Sequence, residues 1–290
     1  MIGSMDENRA DNTLLPAFHE PRPGFHKPPV NEVALSVQFS PVSGLTVAMY
    51  GLLWQRYRPA FSKSEDKAPL ASVIETFEAP RPQKLKFEIV PEPQPPRCWF
   101  MNEKGSELIQ VQSDRFVFNW RKQPPLQPYP RYEHVRIGFE RYYSIFEAFA
   151  QEYNLGPIVP TQCEVTYVND LNIGEGWFRF GELRNVLALW AGEHSDKFLE
   201  EPEDAQVRSR YVIRSNDGLP LGRLHINLEP RIRVPDGSSL MRLVLTARGA
   251  PLGEGIAGII SFLNLGREYV VRGFTSITTK RMHEIWERYQ

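Results

Sequence analysis

The sequence predicts an α+β fold in which one order of elements runs twice. Two observations predict it: short segments of alternating apolar and polar residues between turn formers, and two long segments with apolar residues at helical spacing. In each half a strand is followed by a helix, three strands and a long helix. We expect two β-α-β-β-β-α units with antiparallel sheets, at residues 28–157 and 158–290, after an arm of residues 1–27.

The arm is rich in proline and polar residues and shows no apolar period. Its prolines exclude a continuous helix. We therefore expect residues 1–27 to be a disordered or wrapping arm. Phe18 and Phe25 are the side chains with which it would dock on the body.

The first unit opens with a strand at residues 32–39 and a helix at 44–57, which Pro59 ends. A proline-rich surface stretch, 79–96, includes one strand-like segment at 85–90. Separations of two to four residues between the next strands fit antiparallel hairpins. The remaining predicted elements of this unit are strands at 98–102, 107–112 and 115–120 and a helix at 133–153.

The second unit repeats this order from a strand at residues 161–169. Thr278 and Thr279 are expected to end its long helix and to cap a final short one. The other predicted elements are a helix at 181–190, strands at 206–215, 222–233 and 240–248, and a helix from 254. Residue identity between the halves is low, so the alternative is a single mixed sheet whose helices recur.

Composition indicates a soluble globular protein and limits its partners. The formal net charge is −1, so no global basic field would attract nucleic acid or anionic lipid. No run of about 18 apolar residues exists, so we expect no membrane span and no membrane partner. The two cysteines, Cys98 and Cys163, exclude a disulfide framework and suggest a reducing compartment. We expect a cytoplasmic protein.

The densest cluster of arginine and aromatic residues lies between the third hairpin strand and the long helix of the first unit. Arginine offers a planar fork for carboxylate or phosphate, and an aromatic ring offers a stacking face. The cluster therefore predicts an anion or nucleobase pocket, with a purely structural corner as the alternative. Its residues are Asn119, Trp120, Arg121, Tyr129, Arg131, Tyr132 and Glu133.

Glu164, Tyr167 and Asn169 on the first strand of the second unit complete the list of candidate binding residues. Glu32 occupies the matching place in the first unit, so two carboxylates could face a common cleft. A half-buried carboxylate needs a cationic partner, and Arg121 or Arg131 would serve. An Arg–Glu pair that locks the two units together is favoured over acid–base catalysis.

No motif predicts a reaction, and the catalytic residues are unknown. Residues 253–258 spell the dinucleotide fingerprint, but no parallel βαβ unit follows, so the glycines are expected to belong to a loop. There is no HExxH, no cysteine pair at metal spacing and no nucleophile elbow. We therefore expect no metal and no cofactor.

Several stretches together resemble one uncharacterised, sporadically distributed prokaryotic protein family. Its signature is similar to Asn-Trp-Arg at 119–121 followed by Tyr-Pro-Arg-Tyr-Glu at 129–133, and residues 28–33, 108–115 and 164–169 also match. The ending, with Phe274, the Thr278–Thr279 pair and Trp286, is similar too. Gly-Arg-Glu at 266–268 departs from it, because a His is expected beside the acidic residue. The resemblance implies an architecture and a site, not a reaction.

Two classes of function follow from these observations. The first is a binding or interaction protein, without assigned enzymatic activity, that holds a ligand or partner in a cleft or saddle between two α+β units. The partner would be a protein or a small molecule. The second is a nucleic-acid-associated protein that uses a sheet saddle, which the family's patchy spread would suit through defence or toxin–antitoxin loci. An enzyme with an unrecognised site is the third.

Overall fold

The computed structural model describes residues 15–77, 95–123, 128–190, 196, 198–234 and 236–290. Within these ranges the chain forms one antiparallel nine-stranded sheet and five helices. The strands are β1 (Val30–Phe39), β2 (Lys63–Lys67), β3 (Arg97–Met101), β4 (Glu107–Gln112), β5 (Arg115–Arg121), β6 (Pro160–Asn172), β7 (Val207–Arg214), β8 (Pro220–Ile232) and β9 (Ser239–Gly249). The helices are α1 (Val47–Tyr57), α2 (Tyr132–Glu152), α3 (Leu183–Val186), α4 (Gly255–Ile277) and α5 (Lys280–Ile285). The predicted α+β class and antiparallel pairing are confirmed.

The strand order is β2-β3-β4-β5-β1-β6-β9-β8-β7. At its centre β1 pairs antiparallel with β6, and Leu35 lies opposite Val165. On one side of this central pair follow β5, β4 and β3, and on the other side β9, β8 and β7. One continuous sheet therefore runs through both predicted units, with β2 added at one edge.

The helices cover one face of the sheet because alternate strand residues are apolar. Val33, Leu35 and Val37 of β1 are fully buried on this face. The rings of Phe116 on β5 and Phe146 on α2 stack with centroids 5.8 Å apart. Burying one side chain of this size contributes about 1.5–3 kcal/mol, so the two sheet–helix layers form the core. No helix among the described residues is long and apolar enough to cross a membrane.

The described part of the predicted arm, residues 15–27, lies along α4 and α5. Phe25 is 5% exposed and packs edge-on against Phe274 and Trp286. Backbone hydrogen bonds join this segment to residues 286–290. Residues 1–14 lie outside the described ranges.

Two of the elements differ from the predicted ones, and one predicted segment is not tested. The edge strand β2, with the sequence Lys-Ser-Glu-Asp-Lys, has no apolar residue and so no alternation to reveal it. The helix predicted at residues 181–190 is wrong in length, because the helical stretch there is only Leu183–Val186. The strand-like segment predicted at 85–90 lies outside the described residues.

Candidate ligand-binding site

A cavity of ≈ 340 Å³ lies on the helix side of the sheet, between the start of α2, the middle of α4 and the arm. Six of the ten predicted site residues line it: Tyr129, Arg131, Tyr132, Glu133, Tyr167 and Asn169. β6 contributes the last two, and the loop before α2 and its first turn contribute the others. The cavity therefore lies where the first predicted unit meets the second.

Two tyrosine hydroxyls form the polar floor of the cavity. The Tyr129 and Tyr167 hydroxyl oxygens are 2.9 Å apart, and the Tyr129 ring lies 5.4 Å from that of Trp120. The two signature segments thus meet in space. Burial raises the pKa of both hydroxyls, so both keep their protons at neutral pH. One of the two hydroxyls donates its proton to the other. The second hydroxyl proton meets no acceptor among the residues that the structure describes, so it is available to a ligand.

Asn169 adds a buried hydrogen-bond acceptor. The residue is 2% exposed, and its Nδ2 donates to the Leu243 carbonyl at 3.1 Å. Its Oδ1 accepts no hydrogen bond from any residue that the structure describes. Because Asn169 lines the cavity, this oxygen can accept a hydrogen bond from a ligand donor.

Arg131 is the exposed cation at the rim. It immediately precedes α2 with φ 75° and ψ 159°, a region that residues with a Cβ rarely adopt. Its Nη1 donates to the Phe25 carbonyl at 3.2 Å, which connects the rim to the arm. Such strain costs about 1–3 kcal/mol and clusters at functional positions.

The other two arginines of the cavity are paired with carboxylates. Arg267 donates to Glu133 at 2.6 Å and lies over the Tyr132 ring, 4.5 Å from its centroid. Arg22 of the arm pairs with Glu268. Burial tends to raise the pKa of Glu133, but its own backbone N–H and Arg267 outweigh burial and lower it. Both carboxylates are therefore ionised at neutral pH and neutralise these arginines.

The remaining predicted residues lie elsewhere. Strand alternation turns Trp120 towards the helices but Asn119 and Arg121 to the opposite face, where Asn119 donates to Glu32. Glu164 is on that face too, as is Glu32, so the two carboxylates do share one side of the sheet.

The predicted pairing of Glu164 with Arg121 or Arg131 is wrong. Glu164 pairs with Arg248, which lies directly opposite it on β9. Glu133 pairs with Arg267, and Arg121 donates to the Gly105 carbonyl at 3.2 Å. Cross-strand register and the approach of α4, neither visible in the sequence, decide these partners.

Sequence reasoning missed the cavity residues contributed by the arm and by α4. They include Arg22 and Phe25 of the arm and Arg267 and Phe274 of α4, and Tyr289 near the C-terminus was missed as well. One signal was present, because the Gly-Arg-Glu departure at 266–268 supplies both Arg267 and the Glu268 that binds Arg22. Phe25 was assigned only to docking of the arm.

The dinucleotide-like glycines have a packing role. A Cβ at Gly258 would lie 2.0 Å from the Gly253 carbonyl oxygen, so the loop folds directly onto the first turn of α4. Among the described residues no group of three His, Cys, Asp or Glu side chains could hold a metal ion. Compared with known proteins, the chain matches no family model and no curated protein.

Proposed function

We propose that this protein binds a small aromatic ligand that carries an anionic group, in the cavity between its two halves. The carrying observation is the convergence of Arg131 and a ring of aromatic side chains on one ≈ 340 Å³ space. Arg131 has spare donors for the anion, since the structure gives it one hydrogen bond.

The cavity offers a matching set of contacts for the rest of the ligand. Tyr129, Tyr132 and Phe274 supply apolar ring surface. The spare tyrosine proton would donate to a ligand acceptor, and Asn169 Oδ1 would accept from a ligand N–H or O–H. Candidates of this chemistry are aromatic carboxylates and nucleoside monophosphates.

The test measures ligand binding to wild-type protein and to Arg131→Ala. The probes are a panel of aromatic carboxylates and nucleoside monophosphates, read by thermal shift and isothermal calorimetry, with native mass spectrometry of freshly purified protein. We expect one class to bind the wild type and to lose at least tenfold in affinity in Arg131→Ala, because a charge-assisted contact is removed.

Arg136→Ala is the matched control. Arg136 lies on the same helix, pairs with Glu140 and does not line the cavity. Its substitution should leave binding unchanged. Equal loss in both variants, or no binding by any probe and no copurified molecule, would contradict the proposal.

The alternative function, nucleic-acid binding on the sheet saddle, has one observation in its favour. The helix-free face of β7, β8 and β9 carries arginines on every strand and Glu229 as its one carboxylate. One end of this face, at Arg223 and Arg248, is already covered by the chain's own residues Glu75 and Thr76, so nucleic acid ranks second.

The finer points of the predicted architecture belong to the same proposal. The matched strand orders on the two sides of β1 and β6 support an internal duplication of a β-α-β-β-β-α unit. The resemblance to the uncharacterised prokaryotic family and the cytoplasmic location remain predictions. Mass spectrometry of complexes isolated from the native host would test the location and the partner together.

A further inference from the structure

Residues 68–77, here called the crossing segment, run across the open face of the sheet, opposite the helices. They contact a cross-strand row of long polar side chains. Gln112 on β4 pairs in register with Arg115 on β5, which pairs with Gln38 on β1, which pairs with Gln162 on β6. The row runs perpendicular to the strands, so an extended chain laid on it crosses one strand after another.

The glutamines of this row bind the backbone of the crossing segment. Gln112 accepts from the Leu70 N–H and donates to the Leu70 carbonyl, both at 2.9 Å. Gln38 does the same at Val73, at 3.0 and 2.7 Å. Gln162 accepts from the Glu75 N–H at 2.6 Å. Because backbone groups are recognised, a chain of another sequence would make the same five bonds.

One side chain of the crossing segment is buried and charged. The Glu75 side chain is 7% exposed and pairs with Arg223 at 2.6 Å, with Arg248 at 3.3 Å and with His225. Arg223, Arg248 and His225 thus form a binding site for a carboxylate at a fixed distance from the glutamine row. A chain that fits this face must present an acidic residue there.

The distances fit a fully extended occupant. From Gln112 on β4 to Gln162 on β6 the segment passes three strand spacings of about 4.8 Å, roughly 14 Å. Leu70 to Glu75 is an advance of five residues, or about 16 Å at 3.3 Å per residue. Thr76 reaches β8, where its carbonyl accepts from Arg223 at 2.8 Å.

The crossing segment contributes little to the core. Leu70, Val73 and Ile74 are 38%, 41% and 60% exposed, and their apolar side chains are not packed away from water. Hydrogen bonds, the Glu75 ion pairs and the Arg223 guanidinium, 4.4 Å from the centroid of the Phe77 ring, hold the segment, and an incoming chain can replace each of these contacts. Beyond the Thr76 end of the segment, the edge strand β7 places three arginines on this face: Arg208, Arg210 and Arg214. An acidic chain has complementary charge.

We propose that the open face is a binding site for an extended acidic polypeptide of another protein, and that the crossing segment is its resident, displaceable ligand. The site is on the opposite side of the sheet from the cavity and is independent of the ligand proposed there. While tethered, the resident segment competes at an effective concentration in the millimolar range. An external peptide therefore binds only if the contacts of the crossing segment are weakened or if the peptide binds the face more tightly than the tethered segment does.

The test uses a fluorescein-labelled synthetic peptide with the sequence of residues 68–77, measured by fluorescence anisotropy against the full chain. Glu75→Gln weakens the resident segment by removing its charge. Val73→Pro weakens the segment by removing the N–H from which Gln38 accepts a hydrogen bond. This substitution changes no residue of the sheet face, so it replaces Glu75→Gln in the test if that variant misfolds. We expect both variants to bind the peptide at least tenfold more tightly than the wild type.

Substitutions that remove contacts on the sheet face should reverse this increase in peptide affinity. Adding Gln38→Leu to Val73→Pro should weaken peptide binding at least tenfold, and a peptide with Gln in place of its Glu should bind at least tenfold more weakly. Circular dichroism and melting temperatures confirm folding of each variant.

Three outcomes would overturn the proposal. The first is that neither weakened variant binds the peptide better than the wild type. The second is that both bind a single-stranded 20-nucleotide DNA, with steep salt dependence, and not the peptide, which would assign the face to nucleic acid. The third is that the weakened variants dimerise by light scattering, which would assign it to a second copy of this chain.

Discussion

Backbone strain and an exposed guanidinium occur together at Arg131. A residue in a nearly glycine-only conformation persists only when its surroundings hold it. Here the buried Tyr132 holds the following backbone, and the hydrogen bond from Arg131 Nη1 to the Phe25 carbonyl holds the side chain. The side chain gains a defined direction at the rim of the cavity, which is what binding an anion requires.

Comparing glycine with alanine at this position separates strain from side-chain loss. Both Arg131→Gly and Arg131→Ala remove the guanidinium, but only glycine relaxes the positive φ. We expect Arg131→Gly to be more stable than Arg131→Ala by about 1–3 kcal/mol in urea unfolding. The same pair at Arg136, inside α2, should reverse in sign by about 1 kcal/mol. Equal stability of the two Arg131 variants would contradict the strain.

Glu75 should make stability depend on pH in a defined window. Burial tends to raise its pKa, but hydrogen bonds from His225 and Arg223 and the charge of Arg248 lower it from 4.5 to about 2. A depressed carboxylate pKa stabilises the fold above the unfolded value, and this contribution is lost as the pH falls from 4.5 towards 2. Glu75→Gln should therefore cost up to about 3 kcal/mol at pH 7 and markedly less at pH 3.

Urea unfolding at the two pH values checks this. Glu152→Gln is the control, since the Glu152 pair with Arg56 is exposed and should contribute less than about 1 kcal/mol at either pH. A Glu75→Gln cost that does not shrink on acidification would show that the ion cluster is not the source.

At the level of elements, alternation and turn chemistry predicted the strands that have one buried face. β4 begins and ends at the residues expected from its pattern, because the paired hairpin turns fix both ends. β2 escaped because an edge strand of charged residues has no apolar face to bury. The short α3 differs for another reason: the chain leaves helical geometry at Leu187 to form a bridge with Thr278, a contact made across the fold.

The glutamine row illustrates a second limit of sequence reasoning. Gln38, Gln112 and Gln162 each alternate with apolar residues and read as solvent-facing positions. They are buried because the crossing segment covers them, and that segment has no period of its own. When a distant segment covers a polar face of a sheet, the sequence of the covered strands does not show it.

The two phenylalanines of the arm should contribute unequally to the stability of the fold. Phe25 is buried in a cluster with Phe274 and Trp286, whereas Phe18 is 37% exposed. We expect Phe25→Ala to cost about 3–5 kcal/mol, the usual range for a buried phenylalanine. Phe18→Ala should cost less than about 1 kcal/mol. Thermal and urea unfolding of both variants decide the matter, and similar losses would mean that the aromatic cluster is not what anchors the arm.

At the level of the whole molecule, one sheet joins both halves, so neither half has a complete sheet of its own. A half alone would expose β1 or β6 as a long, largely apolar edge, which promotes aggregation. We expect fragments 1–157 and 158–290 to be insoluble when made separately and to form a one-to-one complex when co-expressed, by light scattering. Monomeric, stably folded fragments would contradict the central role of the β1–β6 pair.

The candidate site was predictable only in the parts that the sequence keeps close together. Trp120 at the end of β5, Tyr129 in the connection and Tyr132 at the start of α2 are close in sequence, and Tyr167 and Asn169 are on one strand. Arg267 and Phe25 reach the same cavity from sequence separations of more than 100 residues. Long-range packing supplies them, and composition alone does not report it.

The β1–β6 pairing also sets a timetable for synthesis. By the time β5 and α2 have left the ribosome, β1 has one of its two neighbouring strands, since β6 has yet to be made. At about 5–20 residues per second, synthesis from the end of α2 to the end of β6 takes about 1–4 s, during which one edge of β1 keeps its backbone donors and acceptors unpaired. Chaperone dependence of this protein should therefore be concentrated in that interval, and slow translation between α2 and β6 would lengthen its most vulnerable state.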